Sequence, residues 1–128
     1  MRNKIGDKIE EECASNSQCV ITISSVTDFQ WSKLYVFSPT ATLEDVNSRL
    51  GFEYPYYKEF SRIMVFVNHG KIVYHEEEPA SIERLRNKDV IFNYSDSVKS
   101  SSYTPTEKFK ASVNSIDDGI YYELTPLN

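Results

Sequence analysis

An α+β fold, with a mainly antiparallel sheet of about five to seven strands, an N-terminal helix and one short capped helix, is predicted by three features of this 128-residue sequence. Apolar residues recur at helical spacing in two short stretches. Four or more runs rich in β-branched and aromatic residues follow them. Turn signals sit between consecutive runs, so most strands have antiparallel neighbours.

The elements follow in order. Ile5, Ile9 and Cys13 recur every fourth position between charges, which predicts a helix with one narrow buried stripe. Cys19-Val20-Ile21-Thr22-Ile23 and Lys33-Leu34-Tyr35-Val36-Phe37 read as strands. Thr42 precedes Leu43, Val46 and Leu50. Its hydroxyl can accept the amide of Asp45, Glu44 and Asp45 suit the positive end of the dipole, and Gly51 can supply a left-handed cap, so Thr42 to Leu50 is a capped helix. Arg62 to Val67 and Lys71 to His75 flank Asn68-His69-Gly70 and predict a hairpin. Val90-Ile91-Phe92 is another strand. Phe109 to Val113 and Ile120 to Leu124 form a last pair around Asp117-Asp118-Gly119, whereas the serine-rich stretch Ser95 to Thr106 reads as a solvent loop. Val90-Ile91-Phe92 or Ile120-Tyr121-Tyr122 is expected at a sheet edge.

Composition bounds the function. The length suits a single domain spanning residues 1–128, and nine Tyr, seven Phe and one Trp supply a core without metals. No run approaches the roughly 20 apolar residues of a membrane span. A net charge of -5 argues against nucleic acid as a partner, because that affinity comes from clustered Lys and Arg, and suits a basic protein partner or plain solubility. The N-terminal residues lack a secretory core. The protein is expected in the cytoplasm if the native chain starts at Met1, and in the periplasm or anchored to a membrane if a leader has been removed.

Cys13 and Cys19 are separated by a polar, turn-like stretch that can bring them within disulfide reach. In an oxidising compartment they would tie the first helix to the first strand, and in the cytoplasm they would stay as thiols. Their spacing is not C-x-x-C and no His is close in sequence, which disfavours a redox or metal role.

Catalytic signals are absent. There is no G-x-S-x-G elbow, and the four glycines are too far apart to cradle a phosphate. A carboxylate pair for glycoside hydrolysis would need a cleft that a fold of this size rarely supplies. His69 and His75 lie in the hairpin, and the run Glu76-Glu77-Glu78 alternates between faces, so no chelating cluster is expected and both imidazoles read as solvated side chains on a strand edge. No catalytic residue, metal or cofactor is predicted.

Two signals point to contact. Phe52, Tyr54, Tyr56, Tyr57 and Phe60 crowd around Pro55; tyrosines are enriched at interfaces, and the alternative is that most of these rings close over the core as the chain returns from helix to sheet. Glu10-Glu11-Glu12, Glu76-Glu77-Glu78 and Asp117-Asp118 are acidic runs that can steer a cationic partner or serve as a solvated surface that keeps the protein soluble. Tyr54, Tyr56, Tyr57, Glu76, Glu77 and Glu78 are therefore the expected partner-binding residues. Trp31 beside Phe29 reads as a core plug, and an exposed Trp31 would instead mark a binding hot spot.

The segment Asp28-Phe29-Gln30-Trp31-Ser32-Lys33-Leu34-Tyr35-Val36-Phe37-Ser38-Pro39, the helix closing in Leu50-Gly51-Phe52, and Ile63 to Val67 with Gly70-Lys71-Ile72-Val73 resemble a group of small bacterial proteins and lipoproteins. Their pattern runs Phe-x-Trp-Asp-x-x-Tyr-x-Phe, then a helix closing in Leu-Gly and a hairpin around Gly-Lys. The resemblance covers roughly residues 5 to 80 and carries no catalytic motif. Ser32 stands where the family usually has Asp. Members are often exported, which implies a Cys13–Cys19 disulfide. In size, acidity and lack of catalytic groups the chain is also similar to the immunity proteins of contact-dependent growth inhibition and related systems, a likeness of type that carries no residues over. The expectation is a non-enzymatic, monomeric protein that binds and neutralises a bacterial toxin, a basic nuclease-type protein among the candidates. The alternative is the exported soluble domain of a small lipoprotein or periplasmic protein with a structural or envelope role.

Overall fold

In the computed structural model, which describes residues 1–13, 18–79, 87–93, 99–117 and 119–127, two helices and eight strands make the α+β fold. They are α1 (Arg2–Glu12), β1 (Gln18–Thr22), β2 (Lys33–Phe37), α2 (Leu43–Leu50), β3 (Ser61–Asn68), β4 (Lys71–Pro79), β5 (Asp89–Phe92), β6 (Ser100–Tyr103), β7 (Lys108–Ile116) and β8 (Gly119–Pro126). The strands form two four-stranded sheets, β1-β7-β8-β5 and β4-β3-β2-β6, and the chain divides into two compact units, one around each sheet. All pairings are antiparallel except that of β5 with β8, which is parallel.

In the first unit, Ile5 and Ile9 of α1 are fully buried, as the fourfold spacing predicts, in a core with Ile21, Phe92, Phe109, Ala111 and Leu124. Gly6 lets the helix approach closely: a Cβ there would lie 2.9 Å from the ring of Tyr122, whose hydroxyl donates to Glu10. Cys13 and Cys19 are joined by a disulfide with their Cα atoms 5.4 Å apart. Ile23 lies in a short 3-10 turn, Ile23–Ser25, and not in the strand.

In the second unit, the capped helix is built as its residues dictate. Thr42 Oγ1 accepts from the Asp45 amide at 3.1 Å, Asp45 Oδ2 accepts from the Thr42 amide at 2.9 Å, and Gly51 takes a left-handed φ of 82°. Val46 and Leu50 bury against Phe37, Ile63, Val65 and Val67 on one face of the sheet. Trp31 is buried in this unit, edge-on to Phe66 with ring centroids 5.0 Å apart, so it is a core plug and no hot spot.

The loop expected between the strands is corrected. The stretch Ser95 to Thr106, expected as a solvent loop, contains β6, where Ser100 to Tyr103 pair with β2 and Ser101 and Tyr103 are buried; residues 95–98 of that stretch lie outside the described residues. Backbone pairing, not side-chain hydrophobicity, makes this strand, so a serine run conceals it. Of the two alternatives for a sheet edge, Val90 to Phe92, in β5, is the one found there, and Ile120 to Tyr122 lies in β8, between β7 and β5.

Candidate functional site

The hairpin β3–β4 turns through His69 and Gly70, both at positive φ, 51° and 74°. With two left-handed central residues the connection matches the twist of its strands. Its register is interrupted once: Val67 pairs with Ile72 and Phe66 with Tyr74, so Val73 is an extra residue. This bulge resets the alternation. Ile72 packs against the core under α2, and without the bulge Tyr74 and Glu76 would share its face. Instead His75 and Glu77, opposite Val65 and Ile63, point to the α2 side.

The loop 51–60 folds back over the same side. The Tyr54 amide donates to Asn47 Oδ1 at 2.7 Å, which draws the loop onto α2, and the Tyr57 hydroxyl donates to the Ala41 carbonyl at 2.9 Å. Tyr54 is buried, while Tyr56, just past Pro55, is 45% exposed.

These two segments meet in one cluster. Glu77 Oε2 accepts from the Tyr54 hydroxyl at 2.5 Å and lies 2.7 Å from His75 Nδ1. Tyr56 stacks on the imidazole, with centroids 3.8 Å apart and planes within 7°, and is edge-on to Tyr54 at 5.7 Å. The Glu77 side chain is 9% exposed and that of His75 33%. Burial, and next the hydrogen bond to Glu77, push the Tyr54 hydroxyl well above the ordinary phenol range, so it remains a donor across the physiological span. Nε2 is the remaining hydrogen-bonding atom of the His75 ring. Chemically, the arrangement is an aromatic platform with one polar nitrogen, backed by a buried carboxylate.

Of the six residues expected to bind a partner, Tyr54, Tyr56 and Glu77 converge here. Tyr57 is a half-buried wall of the α2 core. Glu76 lies on the opposite face of β4, accepting from the Tyr74 hydroxyl at 3.0 Å, and Glu78 pairs across to Arg62 in the register. His75 is the member that sequence reasoning missed: it is half-buried and hydrogen-bonded, not a solvated side chain. The signal was its spacing from Glu77, since residues two apart on a strand share a face. Among the described residues no three His, Cys, Asp or Glu side chains converge to hold a metal ion, and no helix is long and apolar enough to cross a membrane.

Compared with known proteins, the chain matches no protein-family model, no curated protein and no solved structure.

Proposed function

We propose that this chain is a non-enzymatic binding protein that neutralises a bacterial toxin as its immunity partner, engaging a basic surface through loop 51–60 and β4. The observation that carries the reading is Tyr56: nearly half exposed, yet held flat on an imidazole that is itself held by buried Glu77. A large exposed ring fixed before association loses little entropy on binding, and Tyr is a preferred anchor at interfaces. Glu53 and Glu59 in the loop and Glu77 on β4, against Lys58 alone in the loop, give the surroundings the sign that suits a cationic partner such as a nuclease-type toxin.

The test has a cellular and a kinetic arm. A basic protein captured from the native strain, or encoded beside this chain, should arrest growth alone and be silenced by co-expression of this chain. Tyr56→Ala should weaken the complex by about 2 kcal/mol in calorimetry. Reversing Glu53 and Glu59, both exposed on the loop, to Lys should slow association and make it less salt-sensitive; unchanged rates would remove the steering claim.

A second reading, the exported soluble domain of a small lipoprotein or periplasmic protein with an envelope role, is favoured by the Cys13–Cys19 bond. Thiol alkylation of protein taken directly from native cells separates the two: both cysteines blocked as a disulfide, with no toxic partner, would favour export.

A further inference from the structure

We propose that the groove at the amino end of α2 is an arginine pocket, taking an arginine side chain of the partner protein with its stem along an apolar wall and its guanidinium against Glu59 and the Phe60 ring. The proposal rests on the binding-protein reading and adds to it the chemistry of one contact. The groove is open, encloses about 500 Å³, and is lined by Pro39, Ala41, Leu43, Tyr57, Glu59 and Phe60 among others. Its wall is rigid. The Tyr57 hydroxyl is tied to the Ala41 carbonyl, and the Ala41 amide donates to the Ser38 carbonyl at 3.1 Å.

Phe60 is the unusual member. It is 59% exposed and holds a φ of 54°, a left-handed conformation that costs energy in a bulky residue. Leu43, across the groove, is 41% exposed. With its backbone in that conformation and its side chain largely solvated, Phe60 contributes little to the core, which leaves the ring available to a partner.

The charges select the occupant. At the helix end the reciprocal bonds of Thr42 and Asp45 occupy those two amides, and Glu44 and Asp45 bring negative charge to the first turn, so the end disfavours an anion. Lys99 is 3.3 Å from Asp45, which leaves Glu59 to face a ligand. The Tyr57 hydroxyl is raised by burial first and then by the negative charge of Glu59 and Asp45, which places both carboxylates near the groove. A cation with an apolar stem fits such a site, and arginine fits better than lysine. Its guanidinium is weakly hydrated, stacks on aromatic rings and pairs with a carboxylate.

The experiment titrates the isotopically labelled full chain with the tripeptide acetyl-Gly-Arg-Gly-amide and its citrulline, lysine and leucine counterparts, following backbone amide resonances. The arginine peptide should give saturable shifts at residues 39–43 and 57–60, and citrulline, which keeps the shape and loses the charge, should bind about fivefold more weakly. Glu59→Gln and Phe60→Asn should each weaken the arginine peptide to a similar degree. Phe60→Asn should leave the thermal midpoint unchanged or higher, since Asn accepts positive φ. Leucine or citrulline binding as well as arginine, or no saturable shift in the groove, would overturn the pocket, and a lowered midpoint in Phe60→Asn would overturn the claim that the ring is there for contact. These outcomes leave the toxin-binding reading intact, because that reading is decided by the partner measurement on the unmodified chain.

Discussion

Glu77 is a carboxylate with little access to water, and it is tolerated on the sheet because Tyr54 and His75 both reach its Oε2. Removing one donor exposes the cost. Tyr54→Phe should lower stability by about 2 kcal/mol in urea titration, because a buried carboxylate then keeps only the imidazole. The pH dependence has a definite sign. The folded state holds the Tyr54 proton above the ordinary phenol value of 10.0, so the stability it contributes is complete below pH 10 and is lost as pH rises beyond that, when the unfolded chain ionises first. Stability measured from pH 9 to pH 11 should therefore fall less steeply in Tyr54→Phe than in the parent, with the similarly raised Tyr122 accounting for part of the remaining slope. Equal slopes would place the Tyr54 hydroxyl in water. Tyr54, Tyr56 and Glu77 were legible in the sequence as an aromatic cluster and an acidic run. Their convergence was not, because the one-residue offset at Val73 decides which face His75 and Glu77 occupy, and a bulge leaves no mark in composition or periodicity.

At the scale of elements, what was legible follows how local the cause is. α2 was read to the residue from Thr42, Asp45 and Gly51 because a cap is set by neighbours within four positions. β6 was missed because Ser100 to Tyr103 become a strand only by pairing with β2, more than sixty positions earlier in the chain. The seat of α1 gives a signed prediction. In an exposed helix, Gly→Ala stabilises by about 1 kcal/mol. Gly6→Ala should do the reverse, lowering the urea midpoint by the equivalent of about 1 to 3 kcal/mol, since its methyl would press on the buried Tyr122 ring that Glu10 holds in place. A gain in stability would mean that α1 rides above the sheet without touching it there.

At the scale of the whole molecule, the α+β class was predictable from alternation and turns, whereas the partition of strands into two sheets was not, because register between distant segments such as Gln18 and Ser112 has no local signature. The Cys13–Cys19 bond ties the end of α1 to β1 at the open edge of its sheet. Reduction should lower stability by about 2 kcal/mol, as expected for a short closed loop, and calorimetric scans with and without dithiothreitol measure it. The strand order also sets a timetable for biosynthesis. Among the described residues β1 pairs with β7 alone and β5 with β8 alone, so segments made earlier must wait for segments made later. The β2-β3-β4 meander, by contrast, is contiguous in sequence and is complete, apart from β6, before translation reaches residue 80. A ribosome adding about 5 to 20 residues per second leaves α1 and β1 without their sheet for several seconds. Over that interval the amphipathic stripe of α1 is the part of the nascent chain a chaperone would hold, and the meander is the part whose strands can already pair with one another.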